Sequence, residues 1–405
     1  MSAGAGTGTS LSLGDPNTFS SGVPHEWLAD LRRTTPVAWQ DMGDDTGFYA
    51  VLAHGDVVSV AREPNLYSAS EGGVVVETLA PESLEMMRHM LLAMDPPRHV
   101  TYRRPLAETF KVRVINGLED QIRAICRDLM VTAAERGDVE FVHDVTSGLP
   151  SQVMGQLMGL PEADWALLHQ LAERQTAGQD PDGPGGGEDF SASIDMAMYA
   201  IEFAGRRRVE EPREDLTTLI LDGDFGGEPM TDVDFGSFFV QLVTAGNDTT
   251  KTMLSSGLLA LLQHPDQLAE LRADPSLIPG AVEEILRWAN PLHYFRRTTT
   301  ADTVLHGVEI PAGTKVAMYY TAANRDDDVF VDAQAFDIHR SPNPHLSFGI
   351  AEHFCLGVHL ARLEGKVFFE ELLSAFSTIE LIGDPVRLRS NLNNSYKTLP
   401  VRLAR

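Results

Sequence analysis

The sequence predicts a mainly α-helical protein with a small antiparallel β region. Three long stretches repeat apolar residues at spacings of three and four, which is the period of an amphipathic helix. Short runs bounded by glycine and proline, which are typical of strands, occur only near the two ends of the chain. The helical stretches are residues 119–135, 153–171 and 235–262.

The shorter elements follow in order from the amino terminus. Residues 26–33 predict a short amphipathic helix, and residues 47–52 predict a strand. Near the carboxyl terminus, residues 307–314 and 315–321 predict a hairpin, and residues 386–403 predict further short strands. These strands make up the small β region.

Two segments are not expected to form regular structure. Residues 1–14 predict a flexible N-terminal tail, which leaves residues 15–405 as one domain. Residues 178–189 combine glycine, proline and acidic side chains, which disfavour both helix and strand. This stretch is either a linker between domains or a loop between two helices. We favour the loop because the helices on either side are too few to form independent domains.

Acidic residues dominate the charge of the protein. The 405 residues include 58 Asp and Glu against 32 Lys and Arg, which gives a net charge of -26. Such a surface repels phosphate backbones and anionic lipid headgroups. Nucleic acid and membrane surfaces are therefore not expected as partners.

The sequence carries no sign of export or of a membrane anchor. Its first residues lack the basic and apolar regions of a secretory signal, and no apolar run approaches the roughly 20 residues that span a bilayer. Its two cysteines, Cys126 and Cys355, are too few for a disulfide framework. We therefore expect a soluble, cytoplasmic protein.

The segment around Cys355 is the most informative part of the sequence. A loop that begins at Phe348-Gly349 leads into Cys355, and a helical pattern starts directly after it. The backbone N–H groups of a helix N-terminus lower the pKa of such a cysteine and favour the thiolate, the form that binds metals. One alternative is an inert buried cysteine. Another is a zinc site with His353 and His359, although a suitable fourth ligand is lacking nearby.

This segment resembles the haem-binding loop of the cytochrome P-450 superfamily. The matching residues are Phe348, Gly349, His353, Cys355, Gly357, Leu360, Ala361 and Arg362. One position departs, since Ala351 stands where the family usually has a second glycine. The resemblance implies the single triangular domain of that family, haem b (iron protoporphyrin IX) as cofactor, and Cys355 as the proximal ligand of the iron. Thiolate ligation favours O–O cleavage.

A charged pair, Glu284 and Arg287, lies on one face of an apolar helix. On its own, this spacing indicates an ordinary ion pair. The resemblance adds Arg340 as a third member of the cluster. A buried carboxylate between two guanidiniums is expected to be structural, fixing the loop that presents Cys355, and to take no catalytic step.

Residues 244–250 interrupt a long apolar helix with a glycine and paired polar residues. Glycine is about 1 kcal/mol worse than alanine in a helix, and threonine competes for backbone carbonyls. A bent core helix is one interpretation. The resemblance instead implies the distal wall of a haem site at Ala245 and Gly246. There Gly246 makes room for O2, Thr249 hydrogen-bonds O2 and Asp248 relays protons.

Haem propionates are anions that need partners when they are buried. The resemblance implies His99 and Arg103, which share one helix face, for one propionate. It implies Arg297, in preference to Arg296, for the other, with His353 as the remaining donor. Taken alone, each of these residues could be a solvated surface charge.

The resemblance implies a monooxygenase that uses O2 to hydroxylate or epoxidise a mostly apolar small molecule. The sequence has no flavin or dinucleotide glycine motif and no iron–sulfur cysteine set, so a ferredoxin and its NAD(P)H-dependent reductase are the expected electron donors. Arg104, Lys111, Arg113 and Lys366 are either a basic patch that attracts an acidic ferredoxin or scattered solvated charges. A monomer is expected.

Proteins of two other classes have to be weighed against this one. A non-catalytic haem-binding sensor would need Cys355 and the propionate donors but not Asp248 and Thr249. A peroxide-using haem enzyme of the same fold would typically lack that pair as well. The presence of both residues therefore favours the monooxygenase.

The candidate walls of the substrate pocket are mostly apolar with a few polar groups, as ligand sites usually are. Residues 22–27 and 343–348 resemble actinobacterial family members that oxidise sterols, isoprenoids or fatty chains. Similar sequences also tailor polyketides and aromatic natural products, so that alternative stays open. The candidate pocket residues are Val75, Val76, Leu242, Ala245, Leu292, His293 and Asn394.

Overall fold

Helices form most of the regular structure. The computed structural model of the protein describes residues 11–43, 46–183, 191–227 and 230–405. Within those ranges the α-helices are α1 (His25–Thr34), α2 (His54–Ala61), α3 (Pro81–Arg88), α4 (Arg98–Thr109), α5 (Val112–Asn116), α6 (Glu119–Arg136), α7 (Gly148–Leu157), α8 (Glu162–Thr176), α9 (Ser191–Arg207), α10 (Leu216–Leu221), α11 (Asp232–Gln263), α12 (Pro265–Ala273), α13 (Ile278–Ala289), α14 (Tyr320–Ala323) and α15 (Val358–Ala375). None of these helices is both long enough and apolar enough to cross a bilayer.

Strands make up the remaining regular structure of the same ranges. They are β1 (Val37–Gly43), β2 (Thr46–Val51), β3 (Tyr67–Ser68), β4 (Asp138–Glu140), β5 (Tyr294–Thr299), β6 (Thr303–Leu305), β7 (Val308–Ile310), β8 (Lys315–Tyr319), β9 (Thr378–Leu381), β10 (Val386–Arg387), β11 (Tyr396–Thr398) and β12 (Pro400–Ala404). The mainly α-helical class predicted from the sequence is confirmed.

The long helix α11 forms the centre of the helical core. Its N-cap is Thr231, whose hydroxyl accepts a hydrogen bond from the backbone N–H of Asp234 at 3.1 Å. Asp232 and Asp234 in the first turn interact favourably with the positive end of the helix dipole. Helices α7, α8, α9, α13 and α15 all pack against α11. The helix predicted at residues 235–262 is therefore confirmed.

The helix predicted at residues 153–171 is in fact two helices. α7 ends at Leu157 and α8 begins at Glu162. Between them Gly159 has a φ of +65°, a conformation that glycine adopts with little strain and that ends a right-handed helix. Pro161 follows and has no backbone N–H to donate. Both helices still pack against α11.

A five-stranded sheet, in the order β1-β2-β8-β5-β3, brings together strands from both ends of the chain. Its pairings are antiparallel except that β2 and β8 are parallel. The hairpin predicted at residues 307–321 is wrong, because β7 pairs with β6 while β8 joins the main sheet beside β5. The C-terminal strand β12 lies between β4 and β9 in a second sheet.

Packing begins before residue 15, where we expected the domain to start. Leu13 is completely buried, and its N–H donates to Oε1 of Gln40 at 3.0 Å. Its carbonyl accepts a hydrogen bond from the hydroxyl of Tyr319 at 3.2 Å. Residues 1–10 of the expected tail lie outside the described residues.

The loop predicted at residues 178–189 follows α8. Residues 177–183 contain neither helix nor strand, as predicted, and residues 184–189 lie outside the described residues. Asp180 anchors the described part. It accepts a hydrogen bond from the backbone N–H of Arg389 at 3.0 Å and forms an ion pair with Lys397 at 2.9 Å.

The loop that precedes Cys355 is held by two hydrophobic clusters. Phe348 belongs to the large cluster built around α11, whereas Leu346 belongs to a cluster on one face of the five-stranded sheet. Ile350 packs against the sheet cluster as well. The helical core and the sheet therefore fix this loop from two sides.

Candidate active site

Backbone hydrogen bonds fold the loop before Cys355 into a tight turn. The N–H of Gly349 donates to the carbonyl of Leu346, and the N–H of Cys355 donates to the carbonyl of Phe348, both at 2.8 Å. Gly349 has a φ of +66°, which suits glycine. Since α15 begins at Val358, Cys355 lies at the N-terminal end of that helix, as predicted.

Ala351, which stands where the family has a second glycine, also has a left-handed backbone, with a φ of +59°. A side chain in this region costs roughly 1–2 kcal/mol relative to a right-handed conformation. The structure adds that the departure from glycine strains the backbone, and the packing of Leu346 and Phe348 holds the loop in spite of that strain.

The surroundings of Cys355 do not by themselves hold it as a thiolate. Burial raises the pKa of its thiol, and the Gly357 N–H and Arg103 oppose this effect without overcoming it. The Gly357 N–H at the start of α15 lowers this pKa, as predicted, but burial outweighs it until a bound cation stabilises the thiolate. Among the described residues, no three His, Cys, Asp or Glu side chains are grouped to hold a metal ion, so His353 and His359 do not complete a zinc site.

The basic residues predicted to bind haem propionates come together beside this loop. The rings of His99 and His353 lie against each other with their centroids 4.3 Å apart. Arg103 donates to the carbonyl of Phe354, the residue before the cysteine. Arg297 on β5 is buried and lies close enough to lower the pKa of both histidines.

These four side chains lack the partners that buried polar groups normally have. Both ring nitrogens of His99 and Nε2 of His353 are buried without a hydrogen bond to any residue that the structure describes. Within the described part of the chain, Arg103 and Arg297 donate only to backbone carbonyls. Burial, together with Arg103 and Arg297, lowers the pKa of His99 to about 4. Two imidazoles and two guanidiniums without an anion fit the two carboxylates of haem.

Arg296, the alternative to Arg297, has other partners. Its guanidinium donates to the carbonyl of Gly72 at 2.8 Å, to that of Val75 at 3.2 Å and to the hydroxyl of Thr298 at 2.9 Å. It therefore holds residues 72–75 against β5. This arrangement favours Arg297 as the propionate donor.

The middle of α11 carries two of the residues predicted to face O2. Thr249 donates from its hydroxyl to the carbonyl of Ala245, one turn earlier, at 2.7 Å. The lone pairs of the hydroxyl stay free, so Thr249 can accept a hydrogen bond from a group outside the helix. Ala245 is exposed, whereas Val243 and Asn247 are buried, so one face of α11 is free of protein contacts at this point.

Asp248 lies in a cluster of charges between α11 and α8. It is buried and forms an ion pair with Lys251 at 3.0 Å. Nζ of Lys251 also lies 3.4 Å from Glu173, and His143 and His169 approach the same carboxylate at 3.4 Å. Burial raises the pKa of Glu173, but these neighbours outweigh it and lower the pKa to about 2. A cavity of about 330 Å³ adjoins the cluster, and Glu173, Asp248 and Lys251 line it.

Gly246 is required by helix packing. A Cβ atom at this position would lie 2.7 Å from the sulfur of Met154 and 2.8 Å from its Cγ. This packing gives the glycine a second role, and the role predicted for Gly246, making room for O2, stays a prediction. The side chain that it lacks would collide with α7, which packs closely against α11.

The charged cluster predicted around Glu284 is present. The two carboxylate oxygens of Glu284 accept hydrogen bonds from Arg287 at 2.7 and 2.8 Å. Nε of Arg340 lies 3.1 Å from Oε2 of the same carboxylate. Glu284 is 0% and Arg287 1% exposed. Arg287 also donates to three backbone carbonyls between residues 324 and 335. The cluster thus ties α13 to the segment that leads to the Cys355 loop.

Comparison with known proteins identifies the family. Residues 190–395 match the family model for cytochrome P-450. The steroid C26-monooxygenase of Mycolicibacterium smegmatis is 35% identical over 385 residues, which is 93% of this chain and 89% of that protein. The chain belongs to the cytochrome P-450 family.

Two further cytochromes P-450 resemble this one over nearly the whole chain. The methyl-branched lipid omega-hydroxylase of Mycobacterium bovis is 35% identical, covering 92% of this chain and 90% of its own. The structure of a Mycobacterium marinum cytochrome P-450 in complex with pseudoionone superposes with a TM-score of 0.89 at 34% identity. That match covers 99% of this chain and 100% of the other.

Membership of the cytochrome P-450 family fixes the cofactor and the class of reaction. The cofactor is haem b. The enzyme is a monooxygenase that takes O2, electrons from a redox partner and an apolar substrate. These predictions from the sequence are confirmed, as is the cytochrome P-450 fold.

The candidate substrate-pocket residues of this cytochrome P-450 differ in exposure. Those that keep part of the side chain exposed are Val75, Leu242 and Leu292. Val76 and His293 are completely buried. His293 stacks on Phe19 and hydrogen-bonds Thr321 at 2.9 Å, so these contacts place it in the packed interior. Asn394 lines a different cavity, beside α1, and donates to backbone carbonyls at the end of α13.

Sequence reasoning missed a buried carboxyl group that links α11 to α15. Glu364 is 2% exposed and accepts a hydrogen bond from the hydroxyl of Thr250 at 3.3 Å. Burial raises its pKa to about 8, and Thr250 opposes this effect only in part. Glu364 is therefore mostly protonated at neutral pH. A glutamate two turns into a predicted helix gives no sign of this burial, because its partner comes from a distant helix.

We expect Glu364→Gln to flatten the pH dependence of stability. The pKa of Glu364 is raised from 4.5 to about 8 on folding. Its contribution to stability is complete below the unfolded pKa and is lost as the pH rises through the folded pKa. Denaturant unfolding at about pH 5 and about pH 8 should show the wild type losing about 2–4 kcal/mol relative to the variant. Equal losses in both proteins would contradict a buried neutral carboxyl group.

Proposed function

We propose that Cys355 is the only protein ligand of the haem iron and that His99, Arg103, Arg297 and His353 bind the propionates. The observation that carries this proposal is that, among the described residues, four basic side chains beside one cysteine have no anionic partner. Two carboxylates would give these side chains the partners that their burial demands. The donors come from α4, β5 and the cysteine loop, so haem binding would also join these three elements.

The Cys355 loop and α11 supply the other haem contacts. Phe348 and Gly349 shape the loop on the cysteine side, and Ala245 and Gly246 form the wall on the side of α11. When bound, thiolate-ligated haem supplies the activation of O2 that monooxygenation requires. The protein's own residues exclude water from the site and deliver the protons.

Asp248 and Thr249 are the residues that deliver protons. Asp248 lines the adjoining cavity and relays protons from water there toward Thr249, which requires its ion pair with Lys251 to open. Thr249 must turn its hydroxyl away from the carbonyl of Ala245 in order to donate on the open face of α11. This route carries protons inward without admitting bulk water, which protects the chemistry.

A ferredoxin with its NAD(P)H-dependent reductase is the proposed source of electrons. Of the four basic residues predicted to attract it, Lys111 and Lys366 are neutralised by ion pairs with glutamates at 2.5 and 3.0 Å. Arg104 and Arg113 are exposed. They are flanked by exposed apolar side chains: Val100, Val112, Val114 and Phe354. Two cations in an apolar setting suit an acidic protein that docks transiently.

The proposed substrate is a steroid, an isoprenoid or another methyl-branched lipid, oxidised near the end of its chain. This follows from two relatives, whose names place their reactions at C26 of a steroid and at the omega position of a methyl-branched lipid. The pocket candidates with exposed surface, Val75, Leu242 and Leu292, are all apolar. Such a wall holds a hydrocarbon chain and gives polar groups few partners.

We also propose that the enzyme acts as a monomer in the cytoplasm, with one domain that extends to residue 405. Its two cysteines are both free, which suits a reducing compartment. Cys126 is buried on α6, where burial raises the pKa of its thiol, so it behaves as an apolar side chain. Cys355 is thus left as the reactive sulfur.

The experiment that tests this function compares electron sources. A lipid library is first screened for compounds that convert the haem from low spin to high spin. We expect product from such a compound with ferredoxin, reductase, NAD(P)H and O2, and none with hydrogen peroxide alone. Turnover with peroxide alone would indicate a peroxide-using enzyme. Haem binding without turnover under either condition would indicate a sensor.

A further inference from the structure

A cavity of about 750 Å³ lies between α1, the last turns of α11 and the C-terminal turn near residue 394. Part of its wall is apolar, from Val23, Leu259, Ala260 and the ring of Trp288. Its α11 wall begins at Ser256, eleven residues after Ala245. At 1.5 Å per helical residue it is therefore about 16 Å along α11 from the proposed haem wall. The cavity is separate from the site described above.

One side chain of the cavity wall is a buried cation that forms no ion pair with a described residue. Arg325 is 5% exposed, and among the described residues its guanidinium hydrogen-bonds only Gln334, at 3.4 Å. Its guanidinium carbon lies 3.7 Å from the ring centroid of Trp288. Stacking offsets part of the cost of burying a charge, but the donors in the plane of the guanidinium still need acceptors. Burial and Arg287 lower the pKa of Arg325 to about 9, so it remains charged at neutral pH.

Two more basic groups reach the same cavity from other segments of the chain. Nδ1 of His25, on α1, is buried and has no hydrogen-bond partner in the described ranges. Arg387, on β10, donates only to neutral oxygens, the carbonyl of Phe19 and the side chain of Asn394, within the described residues. Burial first, and then Arg325, His293 and Arg387, lower the pKa of His25 to about 2.

The acidic residues of the cavity wall do not neutralise Arg325 and Arg387. Asp30 on α1 pairs with Arg33, which lies on the rim with 58% of its side chain exposed. Glu26 is exposed on the same helix. Neither carboxylate forms an ion pair with Arg325 or Arg387 within the described part of the chain.

We propose that this cavity binds a small organic carboxylate whose apolar part lies against Val23, Leu259 and Ala260. Guanidiniums bind carboxylates through paired hydrogen bonds, and Arg325 and Arg387 supply two of them inside one cavity. The volume lies within the range of about 300–1,000 Å³ that is usual for small-molecule sites. A ligand held there joins α1 to α11 and to the C-terminal turn, away from the haem.

Calorimetric titration of the haem-loaded enzyme with sodium hexanoate tests the proposal. Sodium chloride keeps the ionic strength constant, and the haem Soret band is recorded in parallel. We expect saturable binding of one hexanoate per chain without a Soret shift. Arg387→Gln and Arg325→Gln should each weaken it by about tenfold or more, since each removes charged hydrogen bonds. Arg208→Gln is the matched control. It removes an exposed arginine that pairs with Asp232 outside the cavity, and affinity should not change.

Several results would overturn the proposal. The absence of saturable heat would do so, as would an affinity that Arg387→Gln leaves unchanged. Binding accompanied by a Soret shift would place hexanoate in the substrate pocket instead. Inorganic phosphate binding as tightly as hexanoate would rule out a site built for an organic carboxylate. If Arg325→Gln fails to fold, Arg387→Gln decides the question, because that residue lies on a short strand and is only partly buried.

Discussion

Arg287→Ala is expected to yield insoluble or haem-free protein. The substitution leaves the carboxylate of Glu284 buried and removes hydrogen bonds to three backbone carbonyls. Breaking a buried ion pair by removing one partner typically costs about 3–5 kcal/mol, a large part of the stability of a folded protein. Arg340 stays within hydrogen-bond distance of Glu284, but it lies at the margin of the cluster and does not replace the bidentate contact.

Soluble yield, haem content and denaturant unfolding measure this effect. Arg402→Ala is the control, because it breaks an exposed pair with Asp138 that has the same ideal distance of 2.7 Å. Exposed pairs contribute little, so the control should fold and bind haem normally. If Arg287→Ala gave stable, haem-loaded enzyme with altered turnover, the structural role of the cluster would be wrong.

Thr249→Ala is expected to uncouple oxygen consumption from product formation. Haem content, substrate binding and NAD(P)H consumption should persist, while oxygen is diverted to hydrogen peroxide. The hydroxyl is the last group on the proposed proton route, and general acid assistance of this kind is worth about 10²- to 10⁴-fold. Product formed per NAD(P)H consumed is the quantity to measure.

Neighbouring residues of α11 make this prediction specific. Thr252→Val is the matched control, because the Thr252 hydroxyl is buried and has no hydrogen-bond partner among the described residues, so its loss should not alter coupling. Asp248→Asn should slow oxygen-dependent turnover and enlarge the solvent isotope effect. If Thr249→Ala kept wild-type coupling, the catalytic roles of Thr249 and Asp248 would have to be withdrawn. Asn247 and Thr250 are poor substitutes, since both are already hydrogen-bonded inside the core.

Local patterns in the sequence predicted much of the fold. α1 and α6 follow from apolar spacing, because each presents one face to the core, and α11 follows from its long apolar run. The cluster of Glu284, Arg287 and Arg340 followed from one i,i+3 pair and a family resemblance. The break between α7 and α8 could also have been predicted, since Gly159 and Pro161 are both helix-ending signals. The prediction of one helix missed it because the apolar period continues across these residues.

Features that depend on distant contacts could not be predicted. The strand β8 pairs with β5 and β2, and nothing in its own residues specifies partners so far away in sequence. The need for Gly246 comes from Met154 on another helix. In the same way, Lys251 gave no sign that it would hold both Asp248 and Glu173. Tertiary packing decides such roles after the local pattern has fixed the helix.

The spectrum of the reduced, carbon monoxide-bound protein tests the central claim most directly, because the position of the Soret band reports the ligand opposite carbon monoxide. We expect the wild type to show the red-shifted band of thiolate-ligated haem. Cys355→Ala should abolish it, since Cys126 is buried in the helical core and cannot replace the lost ligand. A wild-type band that persists in Cys355→Ala would contradict the assignment of Cys355 as the iron ligand.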